Sequence, residues 1–479
     1  MMHGGEVKPG GKSSPAASWA QRHLGVAFVV IVLVTLAYLV VSQQFGIRAP
    51  YVVITEAQRI KDKPPIKAPD DTAVITEAQQ TMDNHLTKAQ DEAETGAVVC
   101  STEDPSDTCE VDGDVRVNGT ALSVVVVPAS RSERREWRFR PYSRREYTSV
   151  KEVTVTQLDA AAAAAAPPCT VTHDVPAVLF SLGGSTGNYW HDFGDVLVPL
   201  FVASRRYDGE VLFLVTGIER WWLNLYGDIL RRLSRYDAVD LDGGGAAEVR
   251  CFRHVTVGIR MYKVFDIVPE LAPGGRRLTM ADFAAFLRDA YALPRAAPAS
   301  LRRSPETRPR LLLLNRARTR RFLNADEVAR AAEAAGFDVA VMEMLREERT
   351  VAEQARAANS FDALVGVHGA GLTNAVFLPR GAVLIQVVPY GKMEYLSRLE
   401  FGEPAASMGL RYLDYSVAAA ESSLLERLGP EHPAIVDPLS VHRSGWDKVM
   451  EFYLKQDVRI NVTRFAPTLA QAIDYLRQQ

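Results

Sequence analysis

The chain of 479 residues has few cysteines, almost no net charge and a single long apolar run. Four cysteines are too few for the disulfide framework that substitutes for a core in small secreted domains. Lys plus Arg total 55 against 58 Asp plus Glu, a formal net charge of −3. That balance excludes a dedicated nucleic-acid binder and a polybasic membrane coat. With 32 glycines and 26 prolines the chain is neither collagen-like nor of low complexity throughout. A mean hydropathy of −0.06 excludes a polytopic membrane protein. What remains, 47% hydrophobic and 24% charged residues, is ordinary globular composition. The length predicts two or three domains.

The one apolar run, Leu24–Val41, carries no charge. As a helix it would span about 27 Å, close to the hydrocarbon thickness of about 30 Å. It is expected to be an uncleaved signal anchor at residues 24–42, behind a cytoplasmic tail at residues 1–23. A cleaved signal peptide ending near Val40-Val41-Ser42 is the alternative. Basic residues flank both sides, so the short tail and large body set the expected orientation, type II with the body in a lumen. Residues 43–98 are polar, hold Pro64, Pro65 and Pro69, and repeat Val-Ile-Thr-Glu-Ala-Gln at Val53–Gln58 and Val74–Gln79. They read as a stem. Cys100, Cys109, Cys169 and Cys251 all follow the apolar run, which suits an oxidising lumen. Four cysteines allow three pairings. Cys100 with Cys109 is the local one, and Cys169 with Cys251 would then close a long loop. Asn118-Gly119-Thr120 and Asn461-Val462-Thr463 are glycosylation sequons.

Beyond the stem the pattern is α/β, in two lobes at residues 99–300 and 301–479. Short apolar runs at Val124–Val127, Ala177–Leu182, Val211–Val215 and Ala238–Leu241 read as strands. Helical patterns fall around Tyr189–Val202 and Glu219–Ser234. The run Ala160–Ala166, followed by Pro167-Pro168, reads as a surface insertion. Residues 295–310, rich in Pro and Arg, read as the linker. The alternation then becomes regular, with strands at Leu311–Leu314, Asp338–Met342, Ala363–Val367 and Ala382–Val388, and helices at Asn324–Ala335 and Val351–Asn359. That order predicts a Rossmann-like parallel sheet. The final helix is a candidate to cross back to the first lobe.

Three constellations carry chemistry. Gly366-Val367-His368-Gly369-Ala370-Gly371-Leu372-Thr373-Asn374 follows a buried strand and opens a helix. Glycines there admit a ligand close to the backbone, and the N–H groups and helix dipole favour an anion such as a diphosphate. His368 would add a donor, and Thr373 and Asn374 would cap the helix. The turn is not the dinucleotide G-x-G-x-x-G pattern, which argues against a nicotinamide-dependent oxidoreductase. The second constellation is a run of arginines, Arg302, Arg303, Arg308, Arg310, Arg316, Arg318, Arg320 and Arg321. Arg316 and Arg320 follow a parallel strand and are placed to clamp a phosphate. The third is Gly183-Gly184-Ser185-Thr186-Gly187-Asn188-Tyr189-Trp190-His191-Asp192-Phe193-Gly194-Asp195. His191 and Asp195 are four apart and share a helical face, so the carboxylate can orient the imidazole as a general base.

The segment His368–Asn374, with Phe377-Leu378-Pro379 and Gly381 after it, resembles the signature of glycosyltransferase family 61. Asn188, His191 and Asp195 match the family's Asn-x-x-His-x-x-x-Asp pattern. Arg140-Pro141-Tyr142, Asn315-Arg316, Gln456-Asp457-Val458 and Arg464-Phe465 follow the family in order, although many members carry Ser where Asn315 stands. The resemblance implies a GT-B fold of two Rossmann-like lobes facing a cleft, a UDP-sugar donor and inversion at the anomeric carbon. It implies His191 and Asp195 as catalytic residues, with Asn188 and Asp192 on the acceptor side. Arg316, Arg320, His368, Gly369, Ala370, Gly371, Thr373 and Asn374 would hold the nucleotide. It implies a Golgi enzyme adding xylose or arabinofuranose to xylan, with N-glycan xylosylation or N-acetylglucosamine transfer to a glycoprotein as alternatives. A non-catalytic Golgi scaffold with a transferase fold is the alternative from another class, and an oligomer with other Golgi transferases is a further expectation of that setting. Asp240-Leu241-Asp242 is a formal Asp-x-Asp beside a Gly-rich loop, and the expected site uses no divalent metal and no tightly bound cofactor.

Overall fold

The computed structural model describes residues 98–479, apart from residues 104, 129–131, 244–247, 305 and 345–348. The expected tail and anchor, and the stem up to residue 97, lie outside the described residues. Among the described residues no helix is long and apolar enough to cross a membrane.

The first sheet contains β1 (Val98–Ser101), β2 (Thr108–Asn118), β3 (Ser123–Val127), β4 (Arg135–Phe139), β5 (Val153–Gln157), β6 (Val171–Thr172), β7 (Ala177–Ser181), β8 (Leu212–Thr216), β9 (Val239–Asp240) and β10 (Val249–Val257). Its order is β4-β5-β3-β2-β10-β7-β8-β9, with β1 also on β2 and β6 also on β10. The strands β10, β7, β8 and β9 run parallel. By contrast β2 is antiparallel to β1, β3 and β10, and β4 is antiparallel to β5. The Rossmann-like expectation for the first lobe is therefore refined: its parallel half, β10-β7-β8-β9, continues into an antiparallel half, so the sheet as a whole is mixed. The cause is connection length. Between β2 and β3 the chain reverses within a short turn, whereas parallel neighbours need a helical crossover, supplied between β7 and β8 by the helical segment from Tyr189 to Ser204.

The second sheet is wholly parallel: β11 (Arg310–Leu314), β12 (Asp338–Met342), β13 (Ala363–Val367), β14 (Val383–Val388) and β15 (Arg411–Ser416), in the order β12-β11-β13-β14-β15. The chain changes direction between β11 and β13, the place where doubly wound sheets bind ligands beyond the strand ends. Side chains alternate across this sheet. Leu311, Leu313, Ala363, Val365, Val383 and Ile385 pack with Val328, Leu469 and Ile473 of the helices Ala325–Ala335 and Val462–Arg477. The intervening Leu312, Leu314, Leu364 and Leu384 join a core that also holds Phe180, Phe193, Phe213 and Phe283 of the first lobe. The two lobes thus share one apolar core, and the Phe193 and Phe377 rings meet edge to face at 5.9 Å. The last helix stays on the second sheet, so the expected return to the first lobe does not occur.

Several local expectations are refined. The helix expected at Tyr189–Val202 is a short α-turn, Tyr189–His191, a π-turn, Asp192–Leu197, and a second α-helix, Val198–Ser204. The one at Glu219–Ser234 breaks at Tyr226 into Arg220–Leu225 and Gly227–Leu233. The segment read as a linker is fixed, because Asp362 accepts from Ala299 N at 2.8 Å and Arg310 N at 2.7 Å and pairs with Arg295. Both disulfides, Cys100–Cys109 and Cys169–Cys251, are formed. The first joins residues directly opposite on β1 and β2. Asn461 is exposed and caps the last helix through Arg464 N, while Asn118 is half-buried and accepts from Ala121 N.

Candidate active site

The base side grows from the end of β7. Asn188 accepts a hydrogen bond from Trp190 N at 3.1 Å and starts the helical segment. Within it His191 Nδ1 lies 2.7 Å from Asp195 Oδ2. Asp195 is fully buried, and its other oxygen accepts from Arg144 Nε at 2.9 Å, while Tyr142 Oη lies 3.4 Å from Oδ2. Gly184 leaves room for this cradle, since a Cβ there would stand 2.3 Å from the Tyr142 ring. Burial pushes the Asp195 carboxyl up, but Arg144 and then His191 outweigh it and hold the group below its usual range. An ionised carboxylate only accepts, so the proton between the two sits on His191 Nδ1. Nε2 is the ring nitrogen turned away from Asp195, on a side chain 21% exposed. Whenever the imidazole is neutral, that nitrogen is the one able to act as a general base.

Two acceptor-side expectations are revised. Asp192 is fully buried. Its oxygens accept from Trp222 Nε1, Tyr226 Oη and Gly187 N, each at 2.9 Å. It fixes the Gly-rich loop to the neighbouring helix and presents no carboxylate to a substrate. Asn188 is exposed, but its side-chain oxygen serves as the helix cap.

The anion side lies where β11 and β13 end. Asn315 Oδ1 accepts from Arg316 N and Phe322 N, both at 3.0 Å, and folds the intervening loop back on itself. Gln456 O receives Arg320 N at 2.9 Å, and Asp457 receives Arg321 N at the same distance. The late Gln456-Asp457 motif is therefore a buttress for the arginine loop. Arg320 adopts φ +58°, a strained backbone for a residue with a side chain. Its Nε is buried without a hydrogen-bond partner among the described residues. Across from it, Gly369 has φ +136°. A Cβ at that position would stand 2.7 Å from Arg320 Nη1 and 2.9 Å from Arg316 Nη1. Both guanidiniums thus close on bare backbone. Burial, with Arg316 beside it, pushes Arg320 down to about 9, so it remains a cation at neutral pH. Two cations without an ion pair among the described residues form a site for an anion.

His368 completes it. Its ring is 3% exposed; burial, then Arg320 and Arg316, push it down to about 3, so it is neutral. Tyr412 Oη donates to Gln386 Oε1 at 2.8 Å, which turns Gln386 Nε2 toward His368 Nδ1, also at 2.8 Å. His368 Nδ1 accepts that bond, and its Nε2 carries the hydrogen. Ala370 and Gly371 line the turn, half-buried. Thr373 and Asn374 are sealed within the 3₁₀ helix Ala370–Phe377, and Gly369 occupies its cap position. They are neither caps nor crevice-lining groups, a correction to both expectations.

Sequence reading missed Arg144, Gln386 and Glu400. Glu400 lies on the π-turn Arg398–Gly402, with Oε2 3.6 Å from His368 Nε2. None of the three belongs to a recognisable local motif. The formal Asp-x-Asp is divided in its roles: Asp242 accepts from Gly217 N at 2.9 Å and pairs with Lys151 at 2.6 Å.

The family model described as Glycosyltransferase 61 matches residues 189–385, from the helix bearing His191 to β14. An alpha-1,3-arabinosyltransferase of Oryza sativa subsp. japonica is 43% identical over 78% of this chain and 64% of its own length. A beta-1,2-xylosyltransferase of the same plant is 42% identical over 78% of this chain and 83% of its own length. A xylan glycosyltransferase of Arabidopsis thaliana is 33% identical over 77% of both chains. On the strength of the family-model match and of relatives 33–42% identical over three quarters or more of both chains, the chain belongs to glycosyltransferase family 61.

Proposed function

We propose that the protein is an inverting pentosyltransferase that moves xylose or arabinofuranose from a UDP-sugar to a hydroxyl of xylan, on a GT-B fold. The observation that carries this reading is the convergence of Arg316 and Arg320 on Gly369, with the His368 N–H beside them, at the switch point of a parallel sheet. Two guanidiniums, a neutral donor and bare backbone together suit a diphosphate. The pentose and the xylan acceptor are taken from what the rice and Arabidopsis relatives are named for.

In this reading UDP lies against the Gly369 turn, and the acceptor approaches His191. The acceptor oxygen attacks the sugar's C1 while His191 Nε2 takes its proton. The bond from C1 to the diphosphate oxygen breaks, and its electron pair leaves with UDP. Arg316, Arg320 and His368 neutralise the charge that develops there. Asp195, fixed by Arg144, stabilises the imidazolium as it forms. The guanidiniums supply the positive charge a divalent ion would bring, so the reading needs no metal, and transfer should persist in EDTA. The apolar run at residues 24–42 would hold the protein as a type II protein of the Golgi membrane, the body in the lumen among other transferases. The deciding experiment offers UDP-xylose, UDP-arabinofuranose and UDP-N-acetylglucosamine with xylan oligosaccharides and glycopeptides, and reads products by mass. Pentose added to a xylan oligosaccharide is the expected product. Transfer only of N-acetylglucosamine, or only to glycopeptides, would overturn the assignment.

A further inference from the structure

We propose that Glu400 is the residue that holds the transferred sugar, its carboxyl bonding two neighbouring hydroxyls of the donor pentose. The inference rests on the nucleotide-sugar reading above and adds to it the contact that selects and orients the sugar.

Position is the first argument. Glu400 stands on a π-turn, an insertion in a helix that often re-aims one side chain at a functional site. The turn is packed onto the anion side of the crevice. The neighbouring Phe401 meets the His368 ring edge to face at 5.6 Å. At Gly402 a Cβ would stand 3.0 Å from the Tyr412 ring, whose hydroxyl feeds Gln386 and so His368. Glu400 is therefore carried by the same packed unit that fixes the His368 N–H.

Its electrostatic neighbours are the second argument. Burial pushes Glu400 up to about 7, against the opposing pull of the positive charges of His191, Arg144 and Arg320. In the nucleotide-sugar reading, a donor held by Arg316, Arg320 and the His368 N–H has this carboxyl close by, since Glu400 Oε2 lies 3.6 Å from His368 Nε2. The part of the donor next to the diphosphate is the sugar ring, which is uncharged and offers hydroxyls. A carboxyl is the side chain that accepts from two adjacent hydroxyls at once.

The third argument is that the group is unsatisfied. Its side chain is 17% exposed, and at 3.6 Å its nearest basic atom is beyond hydrogen-bond reach. Among the described residues it makes no hydrogen bond. A largely buried carboxyl with no hydrogen bond among the described residues, beside the His368 N–H, is placed for a ligand's polar atoms.

The test uses the full chain in detergent with UDP, UDP-xylose and UDP-arabinofuranose as titrants. Glu400→Ala should bind UDP at least as tightly as the parent, since a negative charge beside Arg320 is removed. It should lose the extra affinity that the pentose confers over UDP alone, about tenfold or more for two bonds to a carboxylate, with transfer falling in step. Glu400→Gln, which keeps one acceptor, should recover part of that gain. The proposal is overturned if Glu400→Ala keeps the parental ratio of UDP-sugar to UDP affinity. It is also overturned if both variants lose UDP itself, or if the parent shows no preference for either UDP-sugar. A parent that fails to bind UDP would remove the nucleotide reading, a separate and recognisable outcome.

Discussion

Gln386 Nε2 lies 2.8 Å from His368 Nδ1, and that single contact decides which nitrogen of the imidazole carries the hydrogen. The ring behaves as a fixed neutral donor, because burial and the two arginines keep it from protonating. The hydrogen on Nε2 should persist from pH 5 to pH 8 in nitrogen-resolved NMR of labelled histidine. Gln386→Glu should reverse the tautomer and weaken UDP binding by about tenfold or more, the worth of a hydrogen bond to a charged group. An Nδ1–H signal in the parent protein would refute the assignment.

Gly369→Ala places a methyl group where the guanidiniums of Arg316 and Arg320 now close, on a backbone that resists a side chain. The two cations must separate. UDP affinity should fall by at least about tenfold, a loss comparable to one charged hydrogen bond, and the strained backbone should also lower the melting temperature. Unaltered UDP binding would show that the anion does not sit at this turn.

His191→Ala removes the proton acceptor and leaves the anion site intact. Transfer should fall by roughly 10²–10⁴, the usual worth of a positioned base, with UDP affinity unchanged. Asp195→Asn should lower transfer as well, and it also strands Arg144 in a buried setting, at a stability cost of about 3–5 kcal/mol. Calorimetry alongside product assays separates the two effects. A His191→Ala protein with parental turnover would exclude the proposed base.

The disulfides differ in the loop they close. Cys100–Cys109 spans 9 residues and Cys169–Cys251 spans 82. Chain-entropy arguments give about 2.6 kcal/mol for the first and about 4.5 kcal/mol for the second. Replacing both cysteines of the longer pair with serine should lower the denaturation midpoint more than the same change in the shorter pair. Equal losses would contradict this ranking.

His254 gives a pH signature remote from the site. Burial lowers it, but Glu110 at 3.0 Å and Asp112 at 2.7 Å more than compensate, so its affinity for a proton is raised on folding. Its stabilisation is complete below the unfolded value of about 6.5 and disappears as pH rises through the raised folded value. The difference in melting temperature between the parent and His254→Gln should narrow from pH 6 to pH 9. A constant difference would discount the pair.

Much of the second lobe was legible because its order rests on local signals. Apolar runs such as Leu311–Leu314 mark strands buried on both faces, and the glycines of the His368–Asn374 segment mark a strand-to-helix junction. His191 and Asp195 were also legible, since four residues separate them on one helical segment. The rest depended on distance. Arg144 is 51 residues from Asp195, and Gln386 is 18 from His368, so nothing in their surroundings announces a partner. Asp192 was misassigned for the same reason: the indole and phenol that engage it lie 30 and 34 residues further along. The antiparallel half of the first sheet is legible only as short strands, because register is set by pairing across the sheet and not by any one strand.

The edge-to-face contact of Phe193 and Phe377 has a kinetic consequence. Phe193 follows His191 by two residues, and Phe377 ends the 3₁₀ helix that begins beside Gly369. The proposed base and the proposed leaving-group site are therefore mounted on one shared solid interior. Parting them would expose close-packed aromatic surface, which opposes a hinge. The gap that a sugar must bridge is thus set by packing before any substrate arrives. Turnover on such a frame should be governed by the entry and departure of ligands along the crevice, with little contribution from opening and closing of the lobes.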